Sequence, residues 1–204
     1  GYIRCSSFNT AIGEGNLHEI LRYFALCNAL IVDIRSNGGG QLTSAETLAS
    51  AFTNRTLTVG YLTHKTGPAH DAFSTPKAVR LSPLSGFRWQ KPVAVLINRR
   101  TYSAANAFTM YMKTIPGVIL VGDRTGGGSG LPFSSELPGG WSIRLSASPT
   151  LDVNGEHTEF GIAPDVRSHL GANDRLNGKD SMIETAVHEL RARHDSLSKA
   201  AALR

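Results

Sequence analysis

Several things are scarce in this 204-residue chain, and each absence removes a class of function. There is no apolar run of about 18 residues, so no segment reads as a membrane-spanning helix. Cysteine is nearly missing, with only Cys5 and Cys27. There is no Cys-x-x-Cys and no close histidine pair of zinc type, so neither a metal site nor any other cofactor is expected. Both thiols have apolar neighbours and read as buried. One disulfide between them is open to the sequence but unsupported, because spacing alone cannot place their Cα atoms within reach. Dense basic runs are also lacking. The net charge of +5 is spread over scattered arginines, which reads as a solvated surface and not as a nucleic-acid interface. Gly126–Gly130 lacks the Lys-Ser/Thr of a phosphate loop, and Pro132 stands where the following helix should begin. No initiator Met and no signal-peptide pattern is seen, and Gly1-Tyr2-Ile3-Arg4 already reads as strand. The expectation is therefore a fragment whose upstream part, a further domain of the same protein, is missing.

What is present fits one soluble, globular domain over residues 1–204. Apolar residues make up 41% and charged residues 18%. Residues 2–8 read as a strand. Asn16–Asn28 reads as a helix, with Leu17, Ile20, Leu21, Phe24 and Ala25 on one stripe and Asn16 with Glu19 as a capping box. Ala29–Ile34 is a continuous apolar strand of the kind buried on both faces. A helix over about Ser44–Ala51 and a strand over Leu57–Leu62 follow. Residues 63–89 are polar and proline-bearing, and read as a long irregular loop. Then come a buried strand Val93–Ile97, a helix from Ser103 to about Lys113, and a strand Val118–Val121. This order predicts crossover βα units and an α/β sheet. Pro138-Gly139-Gly140 and Asn154-Gly155 are hairpin signals. Ser181 with Glu184 reads as a capping box opening a terminal helix, whose stripe is Ile183, Val187, Leu190, His194 and Leu197.

Ser103 carries the chemistry. It follows an apolar strand and opens a helix, in Asn98-Arg99-Arg100-Thr101-Tyr102-Ser103-Ala104-Ala105-Asn106. At such a junction a hydroxyl stands at an exposed edge beside unpaired N–H groups. A serine needs a base to become a nucleophile, and donors aimed at the developing oxyanion. The Ala104 N–H lies in the first helical turn, where the helix dipole also favours negative charge. Gly38-Gly39-Gly40 ends another buried strand, and its backbone can approach a substrate closely. The plain alternative is that Ser103 is an ordinary N-cap.

Four motifs in order, over about residues 2–167, resemble the S41 family of serine peptidases, the C-terminal processing and tricorn group. They are Asp33-Ile34-Arg35-Ser36-Asn37-Gly38-Gly39-Gly40, Asn98-Arg99 through Ser103-Ala104, Val121-Gly122-Asp123-Arg124-Thr125-Gly126, and Gly161-Ile162-Ala163-Pro164-Asp165. The form Tyr102-Ser103-Ala104-Ala105-Asn106 is similar to an exported branch found in many Bacteroidetes-type proteins. The resemblance implies a ClpP/crotonase-like fold, with an added hairpin region after Gly122. It implies a peptide or protein substrate, and Ser103 as nucleophile with Gly39 and Ala104 as oxyanion donors. It also implies an exported, periplasmic or cell-envelope location. One departure matters. The processing branch pairs serine with a lysine in the second glycine turn, but Gly128 stands there, and no lysine occurs from Thr114 to Gly178. The tricorn-like branch uses an upstream histidine assisted by a glutamate shortly before the Gly-x-x-Pro-Asp motif. Glu159 fits that glutamate, with Glu156 as runner-up, and the histidine would lie upstream of this chain.

Among histidines in the chain, His70 is the best candidate base or substrate contact, with His64 in the same loop. His157 is weaker. His18 reads as solvated, and His188 and His194 as structural. Two other readings compete with a peptidase. One is an inactive domain of this family that binds a peptide or hydrophobic ligand. The other is a thioester-handling enzyme of crotonase type, which would lack the Asn-Arg and Ser-Ala motif.

Overall fold

The computed structural model describes residues 1–174 and 176–202, with side chains through residue 195. Its centre is a parallel sheet in the order β1-β2-β5-β6-β10. These strands are β1 (Tyr2–Arg4), β2 (Leu30–Asp33), β5 (Val93–Ile97), β6 (Val118–Gly122) and β10 (Val166–Arg167). Side chains alternate along β5, as strand geometry requires. Val93, Val95 and Ile97 join the larger apolar cluster, while Ala94 and Leu96 join the smaller one on the other face. Helices α1 (Glu14–Tyr23), α2 (Leu42–Ser50) and α3 (Ala104–Lys113) cover the first face. Helix α4 (Ser181–Ala202) covers the second through Ile183, Ala186, Val187 and Leu190. Because β2 and β5 are buried on both sides, they are apolar apart from Asp33 at the end of β2.

A second sheet, β4-β3-β9, stands beside α3. Its strands are β3 (Leu57–Leu62), β4 (Lys77–Leu81) and β9 (Thr150–Leu151). A hairpin of β7 (Phe133–Leu137) and β8 (Trp141–Leu145) turns at Pro138-Gly139-Gly140. Its register pairs Phe133 with Leu145 and Leu137 with Trp141 on one exposed apolar face, with Arg144 on the other.

Several sequence expectations are corrected. The first strand stops at Arg4, and Phe8 instead makes an isolated bridge to Gly40. Helix α1 starts at Glu14 with Gly13 as its cap, so Asn16 lies inside the helix and caps nothing. Its stripe reduces to Leu17 and Leu21 with half-buried Phe24; Ile20 and Ala25 are exposed. Residues 63–89 are not one irregular loop, because Lys77–Leu81 pairs antiparallel with β3. Asp180, not Ser181, caps α4: its Oδ1 accepts the Met182 and Ile183 N–H groups, each at 3.1 Å. The Leu197 side chain lies outside the described residues. Cys5 and Cys27 are unpaired and half-buried rather than fully buried.

Candidate active site

Both α2 and α3 begin at the same place. Helix α2 follows the turn Gly38-Gly39-Gly40 at the end of β2, and α3 follows Ser103 at the end of β5. Because β2 and β5 are parallel neighbours, their carboxyl ends lie together, which is where ligands bind in open α/β sheets. Two backbone bonds tie the Ser103 segment to the two glycine turns. Tyr102 N–H donates to Asn37 O at 3.0 Å, and Ser103 N–H donates to Gly127 O at 2.9 Å.

Ser103 has φ 57° and ψ −123°. A non-glycine residue held at positive φ costs on the order of 1–3 kcal/mol, and such strain clusters at functional sites. Its hydroxyl makes no capping bond, so the ordinary N-cap reading fails. Ser103 is half-buried and borders a cavity of about 450 Å3. The Ala104 N–H, at the first position of α3, has no acceptor among the described residues.

Gly39 lies against this elbow. A Cβ on Gly39 would fall 2.7 Å from Ser103 Cβ and 2.9 Å from Ala104 N, at φ +100°, so only glycine fits. Its N–H, however, donates to Asn37 Oδ1 at 2.9 Å. The Gly40 N–H has no acceptor among the described residues, and Gly40 lines the same cavity as Ser103 and Ala104.

Glu159 stands in a short 3-10 turn, Thr158–Phe160, behind the second glycine turn. Its Oε2 accepts the Ser129 N–H at 3.0 Å, and its carbonyl accepts the Gly128 N–H at 3.3 Å. Ser103, Gly127, Ser129 and Glu159 thus form one bonded neighbourhood. The Glu156 side chain is exposed and makes no such contact. At Gly128 the ring of Tyr102 fills the space a Cβ would need. A lysine there would displace Tyr102, which is the structural counterpart of the missing dyad.

Asn106 has a role that sequence reasoning missed. It is fully buried on α3, and its Nδ2 donates to Ser129 Oγ at 2.6 Å and to Thr158 O at 3.0 Å. Its Oδ1 accepts from Thr125 Oγ1 at 2.5 Å, which in turn accepts the Ile162 N–H at 2.6 Å. One amide thereby links the nucleophile helix to the second glycine turn and to the Gly161-Ile162 motif. An Asn among alanines on an otherwise apolar helix was the available signal.

Arg35 braces the first turn. It reaches Asp33 through Nη2 at 2.7 Å and Nε at 2.9 Å, and Asp180 at the start of α4 through Nη1 at 2.8 Å. Tyr2 adds its hydroxyl to Asp33 Oδ2 at 2.7 Å. Burial opposes the ionised Asp33, but the Arg35 guanidinium and the Tyr2 hydroxyl outweigh it and hold the carboxyl below its usual range.

The histidines fall away from Ser103. His70 is exposed, and only its carbonyl is engaged, by Lys65 Nζ. His64 Nδ1 meets Ser148 Oγ at 3.2 Å, and neither histidine lines the cavity. His157 is exposed. His18 is not solvated as expected: it packs on Gly86, and its Nε2 is buried without a partner.

Comparison with known proteins follows the same lines. Residues 1–168 match the family model of peptidase family S41. The carboxy-terminal processing protease CtpA of Bacillus subtilis is 27% identical over 141 residues, which cover 69% of this chain and 28% of that protein. The chloroplastic carboxyl-terminal-processing peptidase 3 of Arabidopsis thaliana is 25% identical over 96% of this chain and 39% of its own length. A crystal structure of a candidate peptidase from Parabacteroides merdae superposes with a TM-score of 0.91. It is 48% identical, over 96% of this chain and 62% of that one. The chain therefore spans well under half of either curated relative.

Proposed function

The chain belongs to peptidase family S41, and from that premise we propose that it is the nucleophile-bearing part of a serine-type peptidase that cleaves peptide bonds in peptides or proteins. The single observation that carries this reading is Ser103: a strained, half-buried serine at a strand-to-helix junction, with an unpaired helical N–H beside it.

In this mechanism Ser103 Oγ attacks the scissile carbonyl, and a base takes its proton. The new oxyanion sits against the Ala104 N–H and the first glycine turn. Within that turn Gly39 provides the close approach. Because its N–H already serves Asn37, the Gly40 N–H is the freer second donor. Each such donor is worth roughly 3 kcal/mol in the transition state. Collapse of this oxyanion intermediate breaks the C–N bond, and the base gives its proton to the leaving amine. The base then takes a proton from a water that attacks the acyl-enzyme, and returns it to Ser103 Oγ as the new carboxyl product leaves.

The base comes from an upstream segment of the same protein, in this reading, and Glu159 orients it. What supports this is the lack of an imidazole on the cavity wall and the lack of space for a lysine at Gly128. Glu159 also has its carboxylate fixed beside the turn that holds Ser103. His70 becomes the alternative base if residues 1–204 prove active alone. An exported, periplasmic or envelope location is proposed with the peptidase, on the motif resemblance. The weaker reading, an inactive peptide-holding domain, gives no use to a strained serine beside open amides.

The test is peptide hydrolysis by the full-length protein and by residues 1–204 expressed alone. Expected is turnover in the first and little or none in the second. Full activity from residues 1–204 would overturn the external base, and no hydrolysis by either would overturn the peptidase reading.

A further inference from the structure

The cavity at Ser103 is a trough with a defined far end. Helices α2 and α3 pack against each other and start together at the active site. Ala107 and Met110 on α3 and Leu62 on β3 make its walls apolar. Its far end carries two polar groups, Glu46 on α2 and Tyr111 on α3. Tyr111 is seven residues past Ala104, the first of α3, about 10 Å along its axis, and Glu46 is four past Leu42, the first of α2, about 6 Å. Side chains on helices lean back toward the N-terminus, so both reach toward Ser103.

Neither polar group is satisfied within the protein. Glu46 is exposed, so water solvates its carboxylate, and it has no cation partner among the described residues. The Tyr111 side chain is buried, and no described group bonds its hydroxyl. Burial, reinforced by the Glu46 charge, pushes the Tyr111 phenol up to about 12, so it stays a neutral donor and acceptor. An apolar residue pushed to this end would strip water from both groups and return nothing.

Resting on the peptidase reading, we propose that this trough is the specificity pocket for the residue before the scissile bond, and that it selects a long cationic side chain, lysine or arginine. The aliphatic stem lies along the apolar walls, and the charged head meets Glu46 and the Tyr111 hydroxyl. A lysine stem of five bonds at roughly 1.5 Å each spans on the order of 6 Å, which matches the leaning carboxylate. Arg144 lines the trough from the hairpin. Glu46 and Arg144 are both exposed, but Glu46 stands close enough to the buried Tyr111 to act on its phenol, whereas Arg144 lies on a strand exposed along its whole length, so water and salt weaken its opposition more.

The experiment measures kcat/KM of the full-length protein on one peptide series with Lys, Arg, Leu, Phe or Glu before the scissile bond. It repeats this with Glu46→Gln and Arg144→Gln. In parallel, the Kd values of the same uncleaved peptides are read on Ser103→Ala. Expected is a preference for Lys and Arg over Leu of about tenfold or more. Glu46→Gln should collapse that ratio by about tenfold, and Arg144→Gln should leave it or raise it. A preference for Leu or Phe, or equal loss on every peptide in Glu46→Gln, overturns the specificity while the peptidase stands. A preference for Glu that is lost in Arg144→Gln does the same. If no peptide is cleaved, the peptidase reading fails, and Kd values indifferent to the side chain then overturn the pocket as well.

Discussion

The Ser103 N–H donates to the Gly127 carbonyl at 2.9 Å, and Gly127 lies so close to Glu159 that a Cβ would collide with the Glu159 carbonyl. The nucleophile elbow, the second glycine turn and the glutamate are therefore positioned as a unit. Gly127 also has φ +83°. Gly127→Ala should destabilise the fold by about 1–3 kcal/mol. It should also lower kcat more than a remote glycine change such as Gly15→Ala in α1, where the added Cβ meets nothing within 4 Å and φ is not positive. Urea unfolding and steady-state kinetics on both variants check this.

Glu159→Gln separates holding from orienting. A glutamine carbonyl still accepts the Ser129 N–H, so stability should change by less than about 1 kcal/mol. If the charge orients a histidine, kcat should fall by about tenfold or more. Glu156→Gln, on an exposed side chain, should leave kcat within about twofold. Equal effects of the two substitutions would remove Glu159 from the mechanism.

Grafting the absent lysine should fail. In Gly128→Lys the new side chain must displace the Tyr102 ring at a residue with φ +77°. The expected outcome is no gain in hydrolysis by residues 1–204 and a lower urea midpoint. Restored turnover with an acid limb set by a lysine would show that the turn can still form a dyad.

The motifs around Ser103 and Gly38–Gly40 were legible because strand, turn and helix signals there agree, and because β5 and all of β2 before Asp33 are apolar. Other parts were hidden for physical reasons. Asn106 gains its role only through partners 19 to 52 residues away. Strand β4 lies in a proline-bearing stretch, and its residues are mostly exposed, so no apolar alternation marks it. The caps at Asn16 and Ser181 misled because a capping box is a local pattern, while helix starts are also set by packing. At α4, Asp180 is held by Arg35 from another strand end. Glu46 and Tyr111 meet only because two helices start at one site.

Arg35 links that α4 cap to the first turn, and its loss should be felt in stability. Arg35→Ala leaves the buried Asp33 with the Tyr2 hydroxyl but no cation, and should cost about 3–5 kcal/mol. The native pKa of Asp33 lies below its unfolded value. Its contribution is therefore complete above about pH 4, and it is lost as pH falls from there through the depressed native value. Urea titrations from pH 7 to pH 2 should show wild type losing this increment in acid. Arg35→Ala should show a shallower loss over the same window. Parallel curves would contradict the role of the pair.

Covalent labelling tests the nucleophile most directly. The full-length protein treated with a fluorophosphonate should gain one adduct, on Ser103 by peptide mapping, and hydrolysis should stop in proportion. Ser103→Ala should fold with a urea midpoint close to wild type, because the hydroxyl makes no capping bond and alanine holds the same backbone conformation. It should take no label and cleave no peptide. Labelling at another serine, or unchanged turnover in Ser103→Ala, would contradict the assignment of Ser103.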